Sequence, residues 1–126
     1  MWQNQDIKYD YYIYIRPDLL YINKINIKLI IGNFISSNTL QTPFWHKRSG
    51  LNDRIYMGKE NEISIIGNRL DYAKEYTNKQ KKGYHPEGFM KYIVEKNKIK
   101  IIDINLKGKR VRANGKIVKE KFRQKK

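Results

Sequence analysis

The sequence contains no cysteine, which excludes a disulfide framework and a cysteine-ligated zinc ribbon or knuckle. It also lacks an apolar run close to the roughly 20 residues that a membrane-spanning helix needs. The densest apolar patch is Leu29-Ile30-Ile31, which is too short. Asp6, Lys8 and Asp10 interrupt the N-terminal residues, so we expect neither a signal peptide nor an arginine-rich, acid-poor import presequence.

Side chains of the kinds used in catalysis are few. Only His46 and His85 supply imidazoles, and we find no glycine-rich phosphate loop, paired acidic motif or metal-ligand spacing. His85 and Glu87, with neighbouring lysines, could serve as acid and base in a small basic ribonuclease toxin. Two residues that are merely close in sequence do not make a site, so we interpret His85 as a stacking or phosphate contact. We therefore expect no catalytic residue, metal, cofactor or small-molecule substrate.

Acidic residues are scarce beside basic ones. The chain has 27 Lys and Arg against 12 Asp and Glu, a formal net charge of +15. Residues 1–45 hold four basic and three acidic side chains, whereas residues 96–126 hold 13 basic and two acidic. Such self-repulsion is typical of a chain that a polyanion neutralises. No segment combines a large apolar face with a basic face, so we expect nucleic acid as the partner and no membrane binding.

The composition is biased toward residues with A/T-rich codons. Ile, Asn, Lys and Tyr make up 61 of the 126 residues. This bias indicates an A/T-rich genome, of which organelle genomes are common examples.

The hydrophobic patterns predict one α+β domain, with a mostly antiparallel sheet packed against one main helix and a basic, extended C-terminal tail. Asn114-Gly115 predicts a small hairpin between Val111 and Ile117, and 36–42 is predicted to be a polar loop. The predicted strands are Tyr11–Ile15 with Leu19–Tyr21 continuing or pairing with it, Lys24–Ile30, Arg54–Met57, Asn61–Ile66, Lys91–Val94 and Lys98–Ile104.

The main helix is predicted over residues 69–82. Asn68 is its expected N-cap, and Glu75 and Lys79 form a favourable pair one turn apart. An aromatic loop, Tyr84–Phe89, follows the lysine-rich end of this helix. We predict that Phe89 packs in the core, leave Tyr84 open between core and base stacking, and expect the whole unit to dock on RNA.

The C-terminal residues carry the strongest charge signal. Lys107–Arg112 interleaves cations with Gly108, where the backbone can approach phosphates closely. Lys119–Lys126 is predicted to be a basic arm that orders only on a partner. We divide the chain into an extension (1–20), an RNA-binding domain (21–105) and a basic tail (106–126). The predicted RNA-binding residues are Lys79, Lys81, Lys82, Tyr84, His85, Lys91, Lys107, Lys109, Arg110, Arg112, Lys116, Lys119 and Arg123.

The order of these motifs resembles the C-terminal domain of the large-subunit ribosomal protein L-six family. Asn26–Leu29 and Glu62–Gly67 are similar to two of its strands, the second of the form Thr-x-Ile-x-Ile-x-Gly. Pro86–Lys91 is similar to its Pro-Glu-x-Tyr-Lys-Gly-Lys-Gly loop, although Met90–Ile93 replaces the glycine-rich part. Lys107–Arg112 is similar to its closing Lys-Gly-Lys-Gly-x-Arg. The alignment of Pro86–Lys91 and the alignment of Lys107–Arg112 with the family can both hold only if the chain has an insertion between them. The resemblance covers about residues 21–126, without the family's first half-domain.

The resemblance implies a non-catalytic protein that binds large-subunit ribosomal RNA beside neighbouring ribosomal proteins. With the codon bias, it implies an organelle-encoded protein of the mitochondrial matrix, or otherwise of the cytoplasm. Two alternatives stay open: the ribonuclease toxin using His85 and Glu87, and a basic DNA-binding or phage structural protein.

Overall fold

A four-stranded sheet carries three helices on one face and a short helix with a two-stranded ribbon on the other. The computed structural model of this chain describes residues 6–32, 38–80 and 83–123. The strands are β1 (Tyr12–Ile15), β2 (Leu19–Tyr21), β3 (Thr39–Pro43), β4 (Ile55–Gly58), β5 (Lys100–Ile104) and β6 (Gly108–Arg110). The helices are α1 (Ile27–Gly32), α2 (Glu60–Gly67), α3 (Ala73–Gln80) and α4 (Pro86–Lys96), with a 3₁₀ helix at Arg69–Tyr72. The α+β prediction is confirmed.

The sheet has the strand order β1-β4-β3-β5. Strand β4 runs antiparallel to both neighbours, whereas β5 lies parallel to β3 and is reached through α2, α3 and α4. Strands β2 and β6 form a separate antiparallel pair, in which Leu20 lies opposite Lys109. The C-terminal third of the chain is thereby paired with the N-terminal third.

Side chains alternate across β4 and join two apolar clusters. Tyr56 belongs to the cluster under α2, α3 and α4, which also holds Phe89 and Ile93. Ile55 and Met57 point to the opposite face and pack with Leu19 of β2 and Ile30 of α1, among others. This two-residue period is the one expected of a strand buried on both faces.

The prediction of a strand at Asn61–Ile66 is wrong, because these residues lie in α2. Ile63 and Ile66, three positions apart, are buried on one helix face. Glu60 and Glu62 occupy the first turn, where carboxylates favour the positive end of a helix. Packing of this face outweighs the weak strand preference of the isoleucines.

The predicted strand Lys24–Ile30 is also wrong. Residues 27–32 form α1, and the Asn26 side-chain oxygen accepts from the Leu29 backbone N–H at 3.1 Å, as a helix cap does. Of this helix, Ile30 is the buried residue, and it packs against the second cluster.

The loop predicted at Tyr84–Phe89 holds for Tyr84 and His85 and is wrong from Pro86 onward, where α4 begins. The strand predicted at Lys91–Val94 is wrong, because these residues lie in the same helix. His85 is its N-cap and its Nδ1 accepts from the Gly88 backbone N–H at 3.2 Å, while Pro86 occupies the first turn. Phe89 and Ile93 lie one turn apart in the core, so the prediction that Phe89 packs in the core is confirmed.

The main helix predicted over 69–82 is found as far as Gln80. It consists of the 3₁₀ turn and α3, and Lys81 and Lys82 lie outside the described residues. Asn68 ends α2 and its side chain forms no cap hydrogen bond, so its predicted capping role is wrong. The Glu75–Lys79 pair is confirmed, with 2.8 Å between Oε1 and Nζ.

Other predictions have mixed outcomes. The predicted polar loop 36–42 is wrong from Thr39 onward, since β3 is a central strand with Thr39, Gln41 and Thr42 buried; residues 36 and 37 lie outside the described residues. The strands near Tyr12, Leu19, Ile55 and Lys100 are confirmed. The prediction that Leu19–Tyr21 continues or pairs with the first strand is wrong, because β2 pairs with β6 in a separate sheet. The hairpin at Asn114-Gly115 is confirmed too, by the antiparallel bridge between Val111 and Ile117 and by a φ of 78° at Gly115.

The C-terminal arm is extended but packed. We predicted that Lys119–Lys126 orders only on a partner, yet Glu120 and Phe122 contact the domain directly. The Glu120 carboxylate lies 2.7 Å from the Arg54 guanidinium, and the Phe122 ring meets Trp45 edge-on at 5.0 Å between centroids. For the described part of the arm, that prediction is wrong, because a carboxylate and an aromatic ring anchor it.

Candidate nucleic-acid interface

Five of the seven arginines line one groove, which we call the arginine groove. It measures about 450 Å³ and runs between the β3–β4 loop, the start of α4 and the residues after β6. Its arginines are Arg16, Arg48, Arg54, Arg110 and Arg112. The other lining residues are His46, Asp53, His85, Pro86, Glu87, Val118, Lys119 and Glu120. Six cationic side chains thus face three carboxylates.

The β3–β4 loop is pressed against the start of α4. A Cβ atom at Gly50 would lie 1.8 Å from the Glu87 carbonyl oxygen, so this approach requires glycine. Leu51 N–H donates to that carbonyl at 3.0 Å. His46 and Arg48 adopt positive φ angles of 55° and 48° in the same loop. Close packing therefore brings His46 and Arg48 to the groove.

Asp18 fixes two arginines that are far apart in sequence. Its carboxylate accepts from Arg16 at 2.9 and 2.6 Å and from Arg110 Nε at 3.1 Å. The hydrogen bonds from Arg16, more than those from Arg110, hold the pKa of Asp18 below its usual range. One carboxylate shared by two guanidinium groups leaves a local surplus of positive charge at this end of the groove.

A buried network of polar side chains forms the floor of the arginine groove. Arg54 donates to Glu120 at 2.7 Å, and its other terminal nitrogen lies 3.0 Å from His46 Nε2. A guanidinium only donates, so Nε2 accepts and the imidazole proton sits on Nδ1, which faces Glu120 at 3.5 Å. Burial first, and then the nearby Arg54 charge, lower the pKa of His46. Arg54 and His46 are therefore held within the protein.

Glu87 lies between the two histidines of the chain. Its carboxylate is 3.3 Å from His46 Nε2 and 3.5 Å from His85 Nδ1, and its side chain is only 7% exposed. Arg48 Nε lies 3.5 Å away and is 63% exposed. Because His85 Nδ1 already caps α4, only Nε2 of that ring is left for a ligand. In a His85–Glu87 acid–base pair, His85 would therefore act through Nε2.

The remaining cations of the groove are free to meet a ligand. The Arg112 and Lys119 side chains form no hydrogen bond or ion pair with any described residue, and both residues are exposed. Arg48 is mostly exposed despite its contact with Glu87. Arg112 and Lys119 can therefore bind phosphates without breaking an ion pair, whereas Arg48 would share its charge between Glu87 and the ligand.

The structure brings four of the predicted RNA-binding residues together in the groove: His85, Arg110, Arg112 and Lys119. The others lie elsewhere. Lys79 pairs with Glu75, Lys91 lies on α4 at 3.7 Å from Glu95, and Tyr84 is half-exposed. Lys107 Nζ lies 6.0 Å from the Phe122 ring centroid, Lys109 is half-buried on β6, and Lys116 and Arg123 are exposed. Lys81 and Lys82 fall outside the described residues.

Three arginines and one histidine of the groove were absent from the predicted set: Arg16, His46, Arg48 and Arg54. The cationic run His46-Lys47-Arg48 was a signal for two of them. Arginine is also the minority cation here, and its fork suits phosphate better than the ammonium of lysine does. A prediction that selected arginines over lysines would have included five residues that line the groove.

Two further observations limit the kinds of site. Among the described residues, no group of three or more acidic or histidine side chains could hold a metal ion. No helix within the described part of the chain has the length and apolar character to cross a membrane.

Comparison with known protein families, known proteins and solved structures finds no match for this chain. The two segments similar to strands of the L-six family, Asn26–Leu29 and Glu62–Gly67, lie largely within α1 and α2. At these positions the chain is similar to the family in sequence and not in secondary structure. We therefore base the functional proposal first on the arginine groove.

Proposed function

We propose that this protein is a non-catalytic RNA-binding protein and a structural constituent of a ribosome, with the arginine groove as its principal phosphate-binding surface. The convergence of five arginines from four separate stretches of chain carries this proposal. Guanidinium groups recognise phosphate oxygens through two parallel hydrogen bonds, and the net charge of +15 favours a polyanion over a small ligand.

Five of the six groove cations, all but Arg48, fall into two sets. Arg54 is buried against Glu120, and Arg16 and Arg110 share Asp18, so these three are positioned before a ligand arrives. Arg112 and Lys119 are unpaired among the described residues and exposed. Fixed guanidinium groups give shape to an anion site, and free cations supply most of the counterion release on binding.

The ribosomal assignment rests on composition and on motif order. The proposed partners are large-subunit ribosomal RNA and neighbouring ribosomal proteins, and the proposed location is the mitochondrial matrix, with synthesis inside the organelle. Codon bias and the order of motifs support this location, while the groove supports RNA binding independently of it.

Sedimentation of the tagged chain with ribosomal particles through a high-salt wash tests this function. The protein should sediment with large subunits, and the double variant Arg112→Gln/Lys119→Gln should be washed off at lower salt. The control Lys28→Gln/Lys59→Gln removes the same charge from exposed positions that do not line the groove. Protein found free of particles, or equal release of both variants, would contradict the proposal.

A ribonuclease is the second candidate, because Glu87 lies within 3.5 Å of both histidines in a cationic groove. The ring nitrogens argue against it, since three of the four are engaged within the protein. Incubation of the purified protein with RNA separates the two functions. Cleavage that is lost in His85→Ala and in Glu87→Gln would establish the enzyme, whereas intact RNA in a stable complex supports the binding protein.

A further inference from the structure

A second concave site adjoins the arginine groove and differs from it in chemistry. This cleft, of about 550 Å³, lies between α3 and α4, and the side chains that matter here are Tyr76, His85, Lys91, Tyr92 and Glu95. Its volume is within the range of roughly 300–1,000 Å³ typical of small-molecule pockets. His85 lines both the cleft and the groove, so the two sites are contiguous.

The inner wall of the cleft is aromatic. The Tyr76 ring packs at 5.4 Å from Tyr92 and at 5.1 Å from Phe89, which fixes its orientation in the core. Tyr92 is partly exposed, with Lys79 Nζ and Lys96 Nζ at 5.5 and 5.9 Å from its ring centroid. Tyr84 lies outside the cleft lining, with its ring 5.2 Å from Phe89. Partly exposed aromatic rings are the surfaces on which single-stranded bases stack.

The two sites divide positive charge unequally. The groove has six cationic side chains, whereas Lys91 is the cationic side chain of the described cleft lining apart from His85, and Glu95 lies 3.7 Å from it. A phosphate is therefore favoured in the groove, while the cleft offers a ring surface with one donor and one acceptor for a base edge.

We propose that the groove and the cleft together bind an unpaired nucleotide of an RNA strand, with its phosphates in the arginine groove and its base against Tyr92 in the cleft. This inference rests on the proposed RNA-binding function and narrows its ligand. A base inside a duplex is stacked on both faces and cannot enter a cleft, so the ligand is single-stranded, looped or bulged RNA. His85, at the N-cap of α4, lines both sites, so it would lie beside the sugar that links the base to the phosphates of the RNA.

The affinity of the purified full chain for a short single-stranded RNA and for a duplex of the same length, at equal salt, tests this inference. The single strand should bind at least about fivefold more tightly, since a base stacked on an aromatic ring adds affinity that a paired base cannot add. A 2-aminopurine base in the single strand should change fluorescence on binding. Adenosine monophosphate should compete only weakly, because it offers one phosphate to a groove with several arginines.

Variants separate stacking from simple loss of folding. Tyr92→Leu should weaken single-strand binding several-fold and leave duplex binding unchanged, whereas Tyr92→Phe keeps the ring and the affinity. Tyr9→Leu, at a tyrosine 52% exposed outside the cleft lining, is the matched control and should change nothing.

Each result decides a different claim. Equal affinity for duplex and single strand, equal effects of Tyr92→Leu on both, or competition by adenosine monophosphate as strong as by the oligonucleotide would overturn this inference and leave the RNA-binding function standing. Absence of binding to any RNA would remove the proposed function and this inference with it.

Discussion

Arg54 and Glu120 form an ion pair at 2.7 Å although 66 positions separate them in the chain. Both side chains are buried, at 7% and 8% exposure, and the pair fastens the C-terminal arm over the β3–β4 loop. This single contact closes the floor of the arginine groove and places Lys119 at its edge. The order of the arm as far as Arg123 is therefore a property of the protein itself.

Neutralising Glu120 should destabilise the fold. In Glu120→Gln the Arg54 charge stays buried without its partner, which costs about 3 kcal/mol for pairs of this kind. Chemical denaturation at pH 7 measures the free energy of unfolding. Glu95→Gln, which breaks the exposed pair with Lys91, is the control and should cost less than about 0.5 kcal/mol. Equal losses in the two variants would show that the Arg54–Glu120 pair is not a structural anchor.

The stability of the protein should fall as the pH falls below 6.5, the ordinary pKa of histidine. Burial lowers the pKa of His46 in the folded state, so between the two pKa values the unfolded chain binds the extra proton. This contribution is fully present above pH 6.5 and is lost as the pH decreases toward the lowered folded value. Glu87 and Glu120 face the ring and moderate the shift.

Urea denaturation at pH 7.5 and pH 5.5 measures this dependence. Wild type should lose more stability on acidification than His46→Gln, which cannot take up the proton. Parallel pH profiles for the two proteins would mean that His46 does not resist protonation in the folded state.

Gly50 should tolerate no side chain. In Gly50→Ala the new methyl group meets the Glu87 backbone, so the loop must move away from α4 and carry Arg48 out of the groove. We expect a loss of stability of about 2 kcal/mol or more together with weaker RNA binding. Gly67→Ala, where an added Cβ meets nothing within 4 Å, should be neutral or stabilising. A Gly50→Ala variant as stable as wild type would contradict the close contact between loop and helix.

The sequence predicted the α+β class and most strands because β1, β4 and β5 combine strong β propensity with clear ends. It failed at Ile63–Ile66 and at Ile27–Ile30, where β-branched residues fold as helix because tertiary packing outweighs their local preference. The helix start at His85-Pro86-Glu87 carried a readable signal, a proline in the first turn followed by an acid.

The candidate site was only half predictable. Arg110, Arg112 and Lys119 were predicted from charge alone, because a cluster of like charges in the sequence can be recognised without knowing the fold. Arg16 and Arg54 are isolated in the sequence, and only the pairing of β1 with β4 and of β2 with β6 brings them to the tail. The cleft beside His85 depends on how α3 and α4 pack, which no local pattern contains.

The salt dependence of RNA affinity tests the role of the arginine groove most directly. The affinity of wild type, of Arg112→Gln/Lys119→Gln and of Lys28→Gln/Lys59→Gln for one single-stranded RNA would be measured at several salt concentrations. Wild type should show a steep decrease, and the groove variant a slope smaller by about 1.4, from roughly 0.7 per lost phosphate contact. The control should keep the wild-type slope. A shallow wild-type slope, or identical slopes for the two variants, would contradict the assignment of the groove as the phosphate-binding surface.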